Sequence, residues 1–136
     1  MSCSLDIPLG PSCRDPSLEA DLQARLEAGH RVFAVGDVHG HLATFRALLH
    51  RLDLSDDDRI VCLGDMIDRG PDSAGLIALV RNDPRIICIK GNHEQMALQS
   101  IQPDGRVELW QPWLQRGGKS TWGSYIVRAK GDLWQA

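Results

Sequence analysis

Three short apolar runs, each followed by a glycine-containing polar cluster and then by helical periodicity, dominate the middle of this sequence. The runs cover residues 32–35, 60–63 and 86–89. Each run is continuously apolar rather than alternating, as expected for strands that are covered on both faces of a sheet. The order of the elements predicts an α/β fold with a βαβαβ arrangement of parallel strands. Because such crossovers are almost always right-handed, the three polar clusters are expected to lie together at the carboxyl edge of the sheet.

The flanking segments give weaker signals. Residues 1–14 combine Ser, Pro and Gly without periodicity, which predicts a flexible lead-in. An Asp-Pro pair at 15–16 predicts the start of a short amphipathic helix over 16–28. Further on, a helix is expected around 107–115, followed by a turn at the Gly-Gly pair 117–118. A chain of 136 residues, 43% apolar and 24% charged, is long enough for one globular domain with a core.

Charge and hydropathy limit the partners. The 15 basic and 18 acidic residues give a net charge of -3, so there is no basic field for binding nucleic acid. No apolar run approaches the length of a membrane span. Asp6 and Pro8 interrupt the segment where a signal peptide would be apolar. A cytoplasmic protein is therefore expected, with neither nucleic acid nor a membrane as its partner.

The cysteines carry no motif. Cys62 and Cys88 lie in the second and third apolar runs, Cys3 and Cys13 lie near the N-terminus, and no Cys-x-x-Cys pair occurs. This distribution predicts reduced thiols with a structural role at most.

The three polar clusters combine residues that bind divalent metals. Their sequences are Gly-Asp-Val-His-Gly at 36–40, Gly-Asp-Met-Ile-Asp-Arg-Gly at 64–70 and Gly-Asn-His-Glu at 91–94. Asp37 and His39 can turn toward one point because glycines flank them, and carboxylate with imidazole suits Mn²⁺, Fe²⁺ or Zn²⁺. Asp65 can bridge two ions about 3.5–4 Å apart, and Asn92 would then bind the second ion. A dinuclear metal site is the prediction.

The neighbouring residues suit a phosphate ester. Arg69 offers a planar fork of donors for two phosphate oxygens. His93 is placed to protonate a leaving alkoxide, and Asp68 could orient its ring. A hydroxide bridging the two ions would attack phosphorus without a covalent intermediate. His41, which opens a predicted helix, is expected to face solvent rather than bind metal.

Each feature has a simpler explanation when taken alone. An Asp-x-His sequence after a strand is more often a helix cap in a solvated loop, and an isolated Asp-Arg pair is usually a surface ion pair. Three such clusters at three consecutive strand ends are far less expected by chance than any one of them. The sequence therefore predicts a functional site.

These motifs resemble the signature motifs of the phosphoprotein phosphatase family within the calcineurin-like metallophosphoesterases. The Glu-Gln-Met sequence at 94–96, and Trp-Leu at 113–114 before Gly-Gly at 117–118, are most similar to the bacterial and lambda-phage serine/threonine protein phosphatases. The resemblance implies a metallophosphoesterase core that forms the N-terminal part of a two-sheet αββα sandwich. It also implies hydrolysis of phosphoserine or phosphothreonine in proteins, and in some members of phosphotyrosine.

The resemblance further implies roles for the matching residues. The implied ligands of two divalent ions, Mn²⁺ in practice with Fe or Zn as alternatives, are Asp37, His39, Asp65 and Asn92. Asp65 would be shared between the ions. His93 and Asp68 would form the catalytic acid pair, and Arg69 with Asn92 would bind the substrate phosphate.

The resemblance covers only part of the family pattern. It runs from about residue 31 to 125, whereas family members continue through two more histidine-bearing loops and a second phosphate-binding arginine. None of the five histidines follows His93. We therefore expect 15–136 to be the N-terminal part of one metallophosphoesterase domain, with a weak second ion site and little turnover by itself. Apolar surface left exposed in this way could drive self-association.

Two alternatives to a protein phosphatase are kept. A dinucleoside-tetraphosphate hydrolase shares these metal motifs, although Asp68, Arg69 and Glu94 look more like the protein phosphatases. The second alternative, from a different class, is an inactive fragment that binds metal and phosphate without turnover.

Overall fold

The computed structural model describes residues 14–101, 108 and 110–133 of the chain. In chain order the elements are α1 (Pro16–Glu27), β1 (Val32–Val35), α2 (Leu42–Leu52), β2 (Arg59–Cys62), α3 (Ser73–Asn82), β3 (Ile86–Cys88), α4 (Asn92–Ile101), α5 (Trp110–Trp113), a π-helical turn (Leu114–Gly118) and α6 (Lys119–Leu133). No helix in this described part is long and apolar enough to cross a membrane.

The predicted parallel βαβαβ core is confirmed. The three strands form one sheet in the order β1-β2-β3, and both neighbouring pairs are parallel. Val35 is in register with Cys62, and Cys62 is in register with Cys88. The second and third strands each end one residue earlier than predicted, at Cys62 and Cys88. Leu63 and Ile89, the next residues, are about half exposed because the sheet opens there into the polar loops.

The core lies between the sheet and the two crossover helices. Phe45 from α2, Ile60 from β2 and Leu76 from α3 are almost fully buried in one cluster. A second, smaller cluster consists of Ile67, Ala97 and Trp113, and it joins the second loop to α4 and α5. The packing of the crossover helices on the sheet therefore supports the loops from one side, and the second cluster supports them from the other.

The segment after residue 107 differs from its prediction. The predicted helix at 107–115 falls partly outside the described residues, and α5 covers only Trp110–Trp113. The expected turn at Gly117 is present: its backbone is non-helical, with a φ of 118°, and it separates the preceding helical segment from α6, which was not predicted. Glycine accepts this left-handed backbone without strain, so one helical segment ends there and the next begins.

The first helix begins where predicted and ends one residue earlier. The side chain of Asp15 accepts a hydrogen bond from the N–H of Leu18 at 3.0 Å, and Pro16 occupies the first turn. The apolar face of this helix is only partly covered: Leu18 and Leu22 are half-buried, whereas Leu26 is 52% exposed. The helix precedes β1, an edge strand of the described sheet, where fewer neighbours cover it. The flexible lead-in predicted for 1–14 lies outside the described residues except for Arg14.

Asp58 is a buried carboxylate that ties the beginning of two strands together. It is 2% exposed and accepts hydrogen bonds from the N–H of Arg31 at 2.8 Å and from the N–H of Ser55 at 2.9 Å. The Arg31 guanidinium also donates to it from Nε at 3.1 Å. The side-chain bond from Arg31, helped by both backbone donors, holds the pKa of Asp58 well below its usual range.

We expect Asp58→Asn to lower the thermal midpoint at pH 7 by at least about 5 °C, since a buried ionic network loses its charge. The pKa of Asp58 is lower in the folded than in the unfolded protein. Its stabilisation is therefore complete above the ordinary carboxyl pKa of about 4 and is lost as pH falls below it, so the two proteins should converge in acid. Thermal unfolding at pH 7 and pH 3 measures this, with the exposed Asp57→Asn as control. Equal midpoints for both variants at pH 7 would contradict it.

Candidate active site

The polar loops that follow the three strands meet at the carboxyl edge of the sheet. Backbone hydrogen bonds join the first loop to the second: the N–H groups of Val38 and His39 donate to the carbonyl of Asp65 at 3.2 and 2.9 Å, and Gly40 donates to Met66 at 2.7 Å. The second and third loops touch at two glycines, because a Cβ on Gly64 would lie 2.5 Å from the Cα of Gly91. The sequence places glycine where the backbones approach this closely.

The loop backbones adopt a conformation that side-chain-bearing residues rarely take. Among the described non-glycine residues, positive φ angles occur at His39 (47°), Asp53 (44°), Asp65 (52°), Asp68 (72°) and Arg69 (67°). All but Asp53 belong to the predicted site. Such conformations persist only where surrounding contacts hold them, and they concentrate at functional sites.

Glu94 joins the second and third loops through its carboxylate. Its oxygens accept from the N–H groups of Asp65 at 2.9 Å, Met66 at 2.8 Å, Ile67 at 3.2 Å and Gly91 at 2.9 Å. The sequence analysis used Glu94 only as part of a resemblance. In the structure it fixes the backbone that carries Asp65 and the segment that leads into α4.

His39 presents a ring nitrogen without a hydrogen-bond partner. Its Nδ1 lies 2.8 Å from the carbonyl of Ile67, so Nδ1 carries the proton and Nε2 keeps its lone pair. Nε2 is buried and forms no hydrogen bond. An orphaned, oriented imidazole nitrogen whose other nitrogen donates to a carbonyl is the arrangement that metal-binding histidines adopt.

Nitrogen and oxygen donors for a divalent cation surround this atom. His39, Asp65 and His93 each offer a ligand atom, and these atoms lie within 4.8 Å of one another. The predicted ligand Asp37 is 67% exposed, with Oδ2 at 3.6 Å from Nε2 of His39. Asn92 is exposed at the first position of α4. The donor set fits a first-row divalent ion, although the geometric group contains His93, which the sequence analysis assigned to proton transfer instead.

Asp68 and His93 form a buried pair beside these donors. Asp68 is fully buried, and its Oδ2 accepts from Nδ1 of His93 at 2.7 Å. This contact fixes the ring so that Nε2 faces outward, where Nη2 of Arg69 lies 3.0 Å away. Arg69 itself is exposed. The loops thus bring the two predicted catalytic residues and the predicted phosphate-binding arginine into one connected group.

Two further residues hold Asp68, and the sequence analysis missed both. The indole Nε1 of Trp113 donates to Oδ2 of Asp68 at 3.0 Å, and the hydroxyl of Thr121 donates to Oδ1 at 2.7 Å. Gly117 packs directly on the same loop, since a Cβ there would lie 2.8 Å from the backbone nitrogen of Arg69. The α5–α6 segment therefore completes the environment of the acid pair. His41 is exposed at the N-cap of α2, as expected.

A parallel sheet with such nitrogen and oxygen donors at its loop edge, beside an exposed arginine, has the components of a metal-dependent phosphoesterase. Residues 30–133 match the model of the calcineurin-like phosphoesterase family, and the chain belongs to this family.

Named relatives include bacterial phosphatases. The chain is 37% identical over 98 residues to serine/threonine-protein phosphatase 2 of Escherichia coli K12, which covers 69% of this chain and 42% of that protein. It is 38% identical over 102 residues to serine/threonine-protein phosphatase 1 of Salmonella typhimurium, covering 72% and 44%. It is 36% identical over 81 residues to a symmetrical bis(5'-nucleosyl)-tetraphosphatase of Nitrosospira multiformis, covering 57% and 28%. The chain spans less than half the length of these relatives.

Proposed function

We propose that the protein hydrolyses phosphoserine and phosphothreonine esters in proteins, and phosphotyrosine esters as further substrates, in the cytoplasm. The observation that supports this most directly is the connected group of Asp68, His93 and Arg69 next to the unpartnered Nε2 of His39. A proton donor, a phosphate-binding cation and metal-ligand atoms are the components that hydrolysis of a phosphate monoester requires.

In this proposal Asp37, His39, Asp65 and Asn92 hold two divalent cations, with Mn²⁺ as the native metal. Bound cations supply an activated water and neutralise charge on the phosphate. Arg69, which is exposed, turns its guanidinium from Nε2 of His93 to the phosphoryl oxygens of the substrate.

His93 acts on the leaving group. Its Nδ1 stays hydrogen-bonded to Asp68, so the ring can carry a proton on Nε2 and deliver it to the departing serine or threonine oxygen. Asp68 is a positioning residue: it is fully buried, and its contacts with Trp113 and Thr121 keep its carboxylate aligned with the ring.

Relative rates on different phosphate esters test this proposal. We would supply the protein with Mn²⁺, and separately with Fe²⁺ or Zn²⁺, and measure phosphate or nucleotide release from phosphopeptides and from diadenosine tetraphosphate. The expected result is a kcat/KM at least about 10-fold higher for a phosphoserine or phosphothreonine peptide than for diadenosine tetraphosphate. This ratio corresponds to a difference of about 1.4 kcal/mol in transition-state binding. Preferred cleavage of diadenosine tetraphosphate would favour the second function, to which the tetraphosphatase relatives point. Metal binding without turnover of any ester would indicate an inactive binding module.

Loss of the hydrogen bond from Thr121 to Asp68 is expected to lower kcat without removing a reacting group. Thr121→Val removes the donor to Oδ1 of Asp68, so we expect kcat to fall about 10-fold, the scale found when a partner that orients a functional group is lost. Thr121→Ser keeps the hydroxyl and should stay within about 3-fold of wild type. Steady-state rates with thermal midpoints of both variants separate misalignment from unfolding. Equal kcat values for Thr121→Val and Thr121→Ser would show that the Thr121 hydroxyl does not position Asp68.

A further inference from the structure

Cys62 and Cys88 face each other across β2 and β3. They are register partners in a parallel pair, so their side chains project from the same face of the sheet. Neighbouring strands are about 4.7–4.9 Å apart, which falls inside the Cα separation of about 4.4–6.8 Å that a disulfide spans. Both thiols are free in this structure. The pair meets the backbone requirement for a cross-link.

The two thiols differ in exposure. Cys62 is fully buried in the core cluster with Phe45 and Leu76, whereas Cys88 is exposed at the last position of the edge strand β3. A small solvent-borne reagent can therefore reach Cys88 directly. Cys62 is shielded from such a reagent.

The interaction between the two thiols also shifts their pKa values in opposite directions. A hydrogen bond from the Cys62 thiol lowers the pKa of Cys88 below that of an ordinary cysteine, against the opposing effects of partial desolvation and of the negative charge of Glu94. The same contact, together with burial, raises the pKa of Cys62. Thiolate character is therefore concentrated on the accessible sulfur, which is the condition for selective oxidation.

We propose that Cys88 is a modification site for hydrogen peroxide or an organic hydroperoxide, and that Cys62 is the resolving thiol that converts the product into a Cys62–Cys88 disulfide. This inference is independent of the proposed phosphatase activity.

The chemistry balances in two steps. The Cys88 thiolate attacks one oxygen of the peroxide, the O–O bond breaks, and the leaving hydroxide takes a proton to become water, or an alcohol from an organic hydroperoxide. Sulfur is oxidised by two electrons to sulfenic acid. The Cys62 sulfur then attacks the sulfur of Cys88; the S–S bond forms, the S–O bond breaks, and the proton of the Cys62 thiol passes to the departing hydroxide, which leaves as water. Two thiols and one hydrogen peroxide give one disulfide and two molecules of water, whereas an organic hydroperoxide gives one molecule of water and one of alcohol.

The cross-link would lie at the base of the second and third polar loops. The N–H of Ile89 already donates to the carbonyl of Cys62 at 2.9 Å, where the two strands separate into those loops. A covalent bond at this point would restrain the distance between the segments that carry Asp65 and His93.

Mass spectrometry of a protein that retains only this pair tests the proposal. In a Cys3→Ser, Cys13→Ser background, dilute hydrogen peroxide should remove two hydrogen atoms from the intact mass, and non-reducing digestion should yield a peptide that joins Cys62 to Cys88. Adding Cys62→Ala should stop the reaction at a sulfenic acid on Cys88 that dimedone traps. Adding Cys88→Ser instead should leave Cys62 unmodified.

Three results would overturn it. They are a pair that stays reduced under conditions that oxidise free cysteine, a Cys88 that proceeds to sulfinic acid with Cys62 still present, and a Cys62 that oxidises equally well after Cys88→Ser. The linked peptide comes from the protein that retains both thiols, so this readout decides the matter even if Cys62→Ala does not fold.

Discussion

In a form of the protein that turns over phosphate esters, His93→Asn is expected to lower kcat by about 10²–10⁴-fold while the content of bound divalent metal stays nearly unchanged, because the variant loses the proposed proton donor. The fall should be larger for phenyl phosphate than for p-nitrophenyl phosphate, since the poorer leaving group depends more on protonation. Steady-state rates on both esters, with metal analysis of the same samples, measure this under the metal condition that gives the highest wild-type rate. His41→Asn, at an exposed position, is the matched control.

The metal measurement separates two roles for His93. Its ligand atom lies in the same group as those of His39 and Asp65, so geometry alone allows it to bind metal. Its Nδ1 is hydrogen-bonded to Asp68 and its Nε2 accepts from Arg69, so the proposed proton transfer requires Arg69 to turn away toward the substrate. If His93→Asn loses metal and activity together, with an equal effect on both esters, His93 is a ligand and the proposed acid must be reassigned.

Glu94→Ala should lower the free energy of unfolding by about 3 kcal/mol, because it leaves up to four backbone N–H groups of two loops without their acceptor. The same change frees the backbone of Asp65, so metal affinity should fall as well. Urea unfolding and calorimetric titration with Mn²⁺ measure the two effects. Glu27→Ala, at the exposed end of α1, controls for removing a glutamate.

Glu94→Gln refines this prediction. The amide keeps one oxygen that can accept, but it turns an NH₂ group toward backbone donors, so it should recover only part of the lost stability. A Glu94→Ala protein as stable as Glu27→Ala would show that water replaces the carboxylate at no cost and that the loops do not depend on it.

The sheet and its loops were predictable because their signals are local. Each strand is a short apolar run, each crossover helix has an apolar stripe, and the handedness rule then places the loops at one edge. Asp68 and His93 could be paired from the sequence because both follow strands that are neighbours in the sheet.

The α5–α6 half of the site was not predictable in this way. Trp113 and Thr121 reach Asp68 across 45 and 53 positions of sequence, and no periodicity points to such contacts. Gly117 was interpreted as a turn because glycine usually ends a helix, and its backbone is indeed non-helical, but no local signal predicted that α6 would follow it. A related limit applies to α1: the leucine spacing predicts which residues share a face, but not how far that face is covered, and only Leu18 and Leu22 are half-buried.

The hydrogen bond from Trp113 to Asp68 gives the protein a built-in spectroscopic probe. This indole is 3% exposed and donates to a carboxylate, whereas Trp122 is 47% exposed. In a nitrogen–proton correlation spectrum its indole N–H should resonate downfield and exchange slowly with solvent, and Asp68→Asn should move it upfield. Titrating metal or inorganic phosphate into protein enriched in nitrogen-15 while following this one signal would therefore report, without an attached chemical probe, how each bound species alters the electron density on the carboxylate that holds His93.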